Sequence, residues 1–162
     1  MNDYGVTGAT TGVEVLIQLP IQEVWSGITA IDRYGEWSPE CIYGAWLEKD
    51  ARFEARNRFA NGLETYVTCT VTAFEEPKRF GWDVYGGEPV PFAHWEYELE
   101  DRGAATLVRQ SFTHGPGDSG MRMDVVQHPD RAAEHIQRRL DQLAANMRST
   151  LTAMESALNT PA

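Results

Sequence analysis

Cysteine is scarce in this chain: Cys41 and Cys69 are the only two in 162 residues, lie in different segments and form no Cys-x-x-Cys pair. That leaves no disulfide framework, and in a reducing compartment the two read as free thiols that pack or line a cavity. Positive charge is also short. Lys and Arg number 14 against 24 Asp and Glu, for a formal charge of −10 and a pI near 4.8, so anionic polymers and anionic membrane surfaces are repelled over most of the molecule. Nucleic acid and membrane are therefore not expected as partners. Nowhere do about 18 apolar residues run together, and residues 1–12 carry neither a basic region nor an apolar run. The reading is a soluble, cytoplasmic protein, monomer or homodimer. No second composition regime interrupts the chain, which implies one domain over 13–158 with flexible termini at 1–12 and 159–162. Metal-ligand spacing is missing as well: His94, His114, His128 and His135 form no i,i+4 pair, so they read as solvated histidines and no metal is expected.

What is present begins with Phe92-Ala-His-Trp-Glu-Tyr-Glu-Leu-Glu100, which alternates apolar residues with carboxylates. Successive strand side chains point to opposite faces, so Trp95, Tyr97 and Leu99 share one face and Glu96, Glu98 and Glu100 the other. Two aromatics with polar handles on the protected face suit the wall of a cavity for a flat organic molecule, and equally a plain core. Upstream, Val13-Glu-Val-Leu-Ile-Gln-Leu19 reads as a strand closed by Pro20. Ile21, Val24, Trp25, Ile28 and Ile31 then recur at helical spacing, and Asp32-Arg-Tyr-Gly-Glu-Trp-Ser-Pro39 follows as a broken second helix.

Turn chemistry at Lys49-Asp50, Ala60-Asn-Gly62, Glu76-Pro-Lys78, Gly86-Gly-Glu-Pro89 and Asp101-Arg-Gly103 divides the next stretch into strands at 41–48, 51–60, 63–75, 78–85, 92–100 and 105–113, an antiparallel meander. Glu14, Glu54, Glu96, Glu98 and Glu100 interleave with Arg52, Arg56, Arg58 and Arg109 as cross-strand pairs on the wet face. Asp118 to His128 is polar and lacks a sustained period, as expected of a mobile entrance lid. From Asp130 to Leu158 one long helix carries the stripe Ala133, Ile136, Leu140, Leu143, Met147, Leu151, Met154 and Leu158. The compact solution is an α+β fold in which a curved seven-stranded antiparallel sheet wraps the long C-terminal helix and two short helices close one end. Space left between sheet and helix would be a ligand site.

The chain resembles the START-like helix-grip (SRPBCC) superfamily, and within it the polyketide cyclase/dehydrase group. The likeness lies in Val24-Trp25, Arg33-Tyr-Gly-Glu-Trp-Ser-Pro39, Trp95-Glu-Tyr97 with Gly103, Val108-x-Gln110-x-Phe112 and Ala145-Asn-Met147, and runs from about Val13 to Leu158. Aromatic cyclases of this group fold a poly-β-ketone in an interior cavity without metal or cofactor, so the resemblance implies no cofactor here and implies that Trp95, Gln110 and Asn146 point into such a cavity. It also shows a departure. Where those enzymes carry an inward arginine on the middle strands, this chain offers Tyr66, Thr68 and Thr70, and a nearby phenolic donor falls at Cys41.

The candidate catalytic set is Asn146, Tyr66 and Gln110. The candidate ligand-binding set is Trp37, Cys41, Phe53, Asn57, Thr68, Thr70, Trp82, Trp95, Tyr97, Val108, Leu143 and Met147. Each has a plainer role open to it: Asn146 facing outward, Gln110 bonded to a neighbouring strand, Asn57 a satisfied core amide, Trp95 and Tyr97 ordinary core. The activity so implied is that of a cofactor-free polyketide cyclase or aromatase; the alternative is a carrier or sensor of a small hydrophobic ligand.

Overall fold

The computed structural model describes residues 3–160. Seven strands form one antiparallel sheet: β1 (Thr10–Ile17), β2 (Cys41–Glu48), β3 (Arg52–Arg58), β4 (Glu64–Glu75), β5 (Arg79–Tyr85), β6 (Ala93–Arg102) and β7 (Ala105–His114), in the spatial order β1-β7-β6-β5-β4-β3-β2. The six later strands follow one another as hairpins, and β1 returns to pair with β7, so β1 and β2 are the edges. Turn residues fix the register. At the tip between β6 and β7, Gly103 takes φ +77°, a conformation other residues rarely adopt, and its N–H donates to Asp101 Oδ1 at 2.8 Å.

Among the described residues four α-helices and two short 3-10 turns accompany the sheet. α1 (Ile21–Ile28) and α2 (Tyr34–Trp37) follow β1, while α3 (Gly120–Gln127) and the long α4 (Ala132–Asn159) follow β7. The helical stripe of α4 buries Leu140, Leu143, Met147, Leu151 and Met154 against the sheet. Its first turn is set one residue away from the expected phase: Ala132 is buried and Ala133 exposed. α1 seats Val24, Trp25 and Ile28 beside α4, and Gly27 permits the approach, since a Cβ there would stand 2.7 Å from Met154 Sδ. Gly44 does the same for the turn at Ile31, whose carbonyl oxygen would lie 2.5 Å from an added Cβ.

Two expectations need correction. The segment from Asp118 to His128 is not a structureless lid but contains α3, whose Met121 and Val125 are buried. Ser119 caps that helix, its Oγ accepting the Arg122 N–H, and Arg122 Nη1 bonds Asp3 Oδ1 at 2.6 Å. The N-terminal stretch belongs to the fold as well: β1 begins at Thr10, and Val6 is fully buried. Residues 1, 2, 161 and 162, assigned to the termini from the sequence, lie outside the described residues. Among the described residues, no helix is long and apolar enough to cross a membrane.

Candidate functional site

Alternation makes the two faces of the sheet chemically different. The face toward α4 carries Phe53, Ala55 and Asn57 from β3; Val67, Cys69 and Val71 from β4; Phe80, Trp82 and Val84 from β5; Trp95, Tyr97 and Leu99 from β6; and Val108, Gln110 and Phe112 from β7. A bulge at Thr72 shifts β4 so that Phe74 rejoins this face beside Phe80. Across the strands runs an aromatic row. Phe53 meets Trp82 at 5.7 Å between ring centres, Trp82 stacks on Trp95 at 6.3 Å with 12° between planes, and Trp95 meets Phe112 at 5.1 Å. Trp82 and Trp95 are paired directly in register and point inward, yet both are only half-buried. The end of the interior near α1 is different: Trp25, Phe74 and Phe80 interlock edge to face, with Leu151 and Met154 fully buried nearby.

Polar groups are threaded into this apolar surface along one line. Tyr34, from α2, has its hydroxyl 3.3 Å from that of Tyr97, and it also bonds the Ile28 carbonyl. That carbonyl can only accept, so the single Tyr34 proton goes to it and the Tyr97 hydroxyl donates across the 3.3 Å. Gln110, Tyr97's register partner on β7, stands beside it on the same face. Burial pushes the Tyr97 phenol up to about 12 and the Tyr34 phenol well above its ordinary value, so both remain neutral donors. Burial likewise raises the Cys41 thiol, and raises the Cys69 thiol further, which leaves neither as a ready thiolate.

The structure brings Phe53, Trp82, Trp95, Tyr97, Val108 and Gln110 together on this face, with Leu143 and Met147 buried on α4. Cys41 and Asn57 are half-buried register partners at the β2–β3 end, and Trp37 is buried in α2 beside Tyr34 at 6.0 Å. Tyr66, Thr68 and Thr70 are the correction: they lie on the opposite, convex face, and Tyr66 is 67% exposed with its hydroxyl accepting from Arg56 Nη1 at 3.0 Å. The inward residues of β4 are Val67, Cys69 and Val71, so among the described residues the inward positions of the middle strands carry no Lys or Arg. Asn146 stands apart from the aromatic row. It is half-buried on α4 and, with Gln142, borders an open hollow of about 430 Å³ whose other walls are Pro39, Glu40, Ile42, Arg58, Phe59 and Ala60. Beside it Glu40 and Arg139 pair bidentately at 2.8 and 2.9 Å, tying α4 to the start of β2.

Sequence reasoning missed Tyr34, and it misread His114. That histidine is buried, not solvated: Nδ1–H donates to the Gly115 carbonyl at 2.6 Å and Nε2 lies 2.5 Å from Ser119 Oγ, and burial lowers its pKa.

The family described as polyketide cyclase / dehydrase and lipid transport matches residues 9–148, and the chain belongs to it. Among curated proteins none matches. Solved structures do. A polyketide-cyclase-like protein, Cgl2372 from Corynebacterium glutamicum, is 27% identical with a TM-score of 0.65, over 94% of this chain and 92% of that one. The Zhui aromatase/cyclase from Streptomyces sp. R1128 is 16% identical with a TM-score of 0.68, over 92% of each chain. A START superfamily protein from Mycobacterium smegmatis is 14% identical with a TM-score of 0.59, over 85% of this chain and all (100%) of that one. The last two likenesses are of fold, and the fold is the helix-grip.

Proposed function

We propose that the concave face binds a hydrophobic polyketide-type or aromatic small molecule on the Trp82–Trp95 platform and acts on it as a cofactor-free cyclase or aromatase-like template. The observation that carries this reading is the stacked indole pair, 6.3 Å apart, inward-facing and yet half-exposed, where a plain core would cover it. Membership of the polyketide cyclase/dehydrase family and the fold shared with an aromatase/cyclase support it.

Aldol cyclisation of a poly-β-ketone needs a folded chain, a hydrogen-bond donor at the developing enolate oxygen, and a proton acceptor. Aromatic walls supply the folding surface. The donors are the Trp37 indole N–H and the Asn146 amide at the open hollow, since the Tyr34 and Tyr97 protons are already committed to the Ile28 carbonyl and to the Tyr34 oxygen. The methylene between two carbonyls is already acidic, so water suffices as base and positioning is the protein's contribution. Among the described residues the inward positions of β3 to β5, and of β6 from Ala93 to Leu99, carry no Asp, Glu, Lys or Arg, which favours the second reading, a carrier that holds its ligand unchanged.

Incubation with a reactive poly-β-ketone decides between them. A template narrows the cyclised products toward one ring pattern. A product distribution equal to the protein-free reaction rejects catalysis on that substrate, and recovery of bound, unchanged ligand selects the carrier.

A further inference from the structure

We infer that the ligand of this interior is an uncharged molecule bearing both a hydroxyl and a carbonyl, the hydroxyl read by Gln110 Oε1 and the carbonyl by the Trp37 indole N–H; this rests on the binding reading above. Gln110 and Trp37 are 6% and 5% exposed, and among the described residues neither Gln110 Oε1 nor Trp37 Nε1 has a hydrogen-bond partner. Native interiors leave few such atoms unpaired. The two other buried atoms without a hydrogen bond, Arg56 Nε, which faces Glu64 Oε1 at 3.6 Å, and His135 Nε2, lie elsewhere, on the convex face and in the first turns of α4.

The two orphans sit at opposite ends of the polar line already described. Trp37 packs against Tyr34, Tyr34 reaches Tyr97, and Tyr97 is the register partner of Gln110. Along that line the Tyr34 and Tyr97 protons are committed to the Ile28 carbonyl and to the Tyr34 oxygen, while one donor, the Trp37 N–H, and one acceptor, Gln110 Oε1, stay buried without a partner. An indole N–H can only donate, and an amide oxygen can only accept. The complement is a molecule that accepts at one point and donates at another, as a hydroxyaryl ketone does. Charge is selected too. With no Lys or Arg on the inward positions of the middle strands, a carboxylate entering here would be buried without a counter-ion. Sites built to hydrogen-bond a substrate hydroxyl reject analogues that lack it, because the protein group is again left unpaired.

Four bicyclic probes test this by titration calorimetry at neutral pH: naphthalene, 2-acetylnaphthalene, 6-acetyl-2-naphthol and 6-hydroxy-2-naphthoate. The wild-type protein should bind the acetylnaphthol about tenfold more tightly than acetylnaphthalene, and acetylnaphthalene more tightly than naphthalene. It should bind the naphthoate about a hundredfold more weakly than the acetylnaphthol. Gln110→Met should cut the hydroxyl's advantage to about twofold or less, and Trp37→Phe should do the same to the ketone's. The wild-type series decides even if a variant fails to fold. Equal affinity for naphthalene, acetylnaphthalene and acetylnaphthol, or naphthoate binding as tight as acetylnaphthol, overturns the selectivity and leaves the binding site standing. Binding of none of the four overturns both.

Discussion

The concave and convex faces of one sheet are built from alternate residues of the same strands, yet they follow opposite rules. On the convex face Glu14 pairs with Arg109 at 2.9 Å, Glu96 with Arg79 at 2.9 Å and Glu64 with Arg58 at 3.1 Å, all between partly exposed side chains. On the concave face of the middle strands formal charge is absent, and polarity comes from phenols, amides and thiols that burial keeps neutral. Exposed ion pairs contribute little and tolerate change, whereas each buried polar atom must find a partner. The difference teaches where function can be stored in this fold: a one-residue step along a strand separates a solvated ladder from a ligand platform.

The largest test of that contrast uses two adjacent residues of β7. Val108→Asp puts an unpaired carboxylate at a position that is 0% exposed and should cost about 4 kcal/mol or more in urea unfolding. Arg109→Asp, next door on the convex face, should cost about 1 kcal/mol or less, and equal costs would erase the distinction between faces. Met147→Ala, on the buried stripe of α4, should lose about 3 kcal/mol through the cavity it leaves, read in the same experiment.

Alkali should act on the concave face next. Tyr97 is raised by burial from 10.0 to about 12, so its contribution is intact below about pH 10 and is lost as pH rises toward 12, a decline of about 2–3 kcal/mol. Tyr97→Phe should remove its share of the alkaline decline in thermal unfolding and leave the part due to Tyr34 and the thiols, whereas Tyr66→Phe should remove none. His114 gives the opposite limb. Its pKa is lowered from 6.5, so its contribution is present above that value and is lost as pH falls through the folded-state pKa; His114→Gln should shallow the acid side. The smallest effect is Tyr66→Phe itself, within about 0.5 kcal/mol in stability and without change in ligand affinity, because Tyr66 lies on the wet face.

How far these features were legible in the sequence follows from the strength of each local signal. In β6 the alternation of Trp95, Tyr97 and Leu99 with carboxylates fixes the inward face unambiguously, and the structure agrees. In β4 both sets are β-branched or small: Thr68 and Thr70 compete with Val67, Cys69 and Val71, and the likeness to enzymes with an inward arginine pulled the assignment one residue out of phase. Apolar preference alone points the right way there. Tyr34 escaped because α2 has four residues and no period to read. α3 escaped because only Met121 and Val125 mark its buried side. His114 was legible in principle, since Val108, Gln110 and Phe112 carry the inward phase of β7 directly to it. Gln110 was correctly placed inward, but its unpaired oxygen depends on where Tyr97 and Tyr34 meet, a contact between distant segments that no local pattern encodes.

The central claim, that the stacked Trp82–Trp95 platform is the ligand surface, is tested most directly by fluorine NMR of protein labelled with 5-fluorotryptophan. The five tryptophans, Trp25, Trp37, Trp46, Trp82 and Trp95, give five resonances assignable by single Trp→Phe variants. On titration with 6-acetyl-2-naphthol, the Trp82 and Trp95 resonances should shift together and saturate, while Trp25, locked against Phe74 and Phe80, stays in place. Saturable binding that leaves Trp82 and Trp95 unmoved would contradict the account.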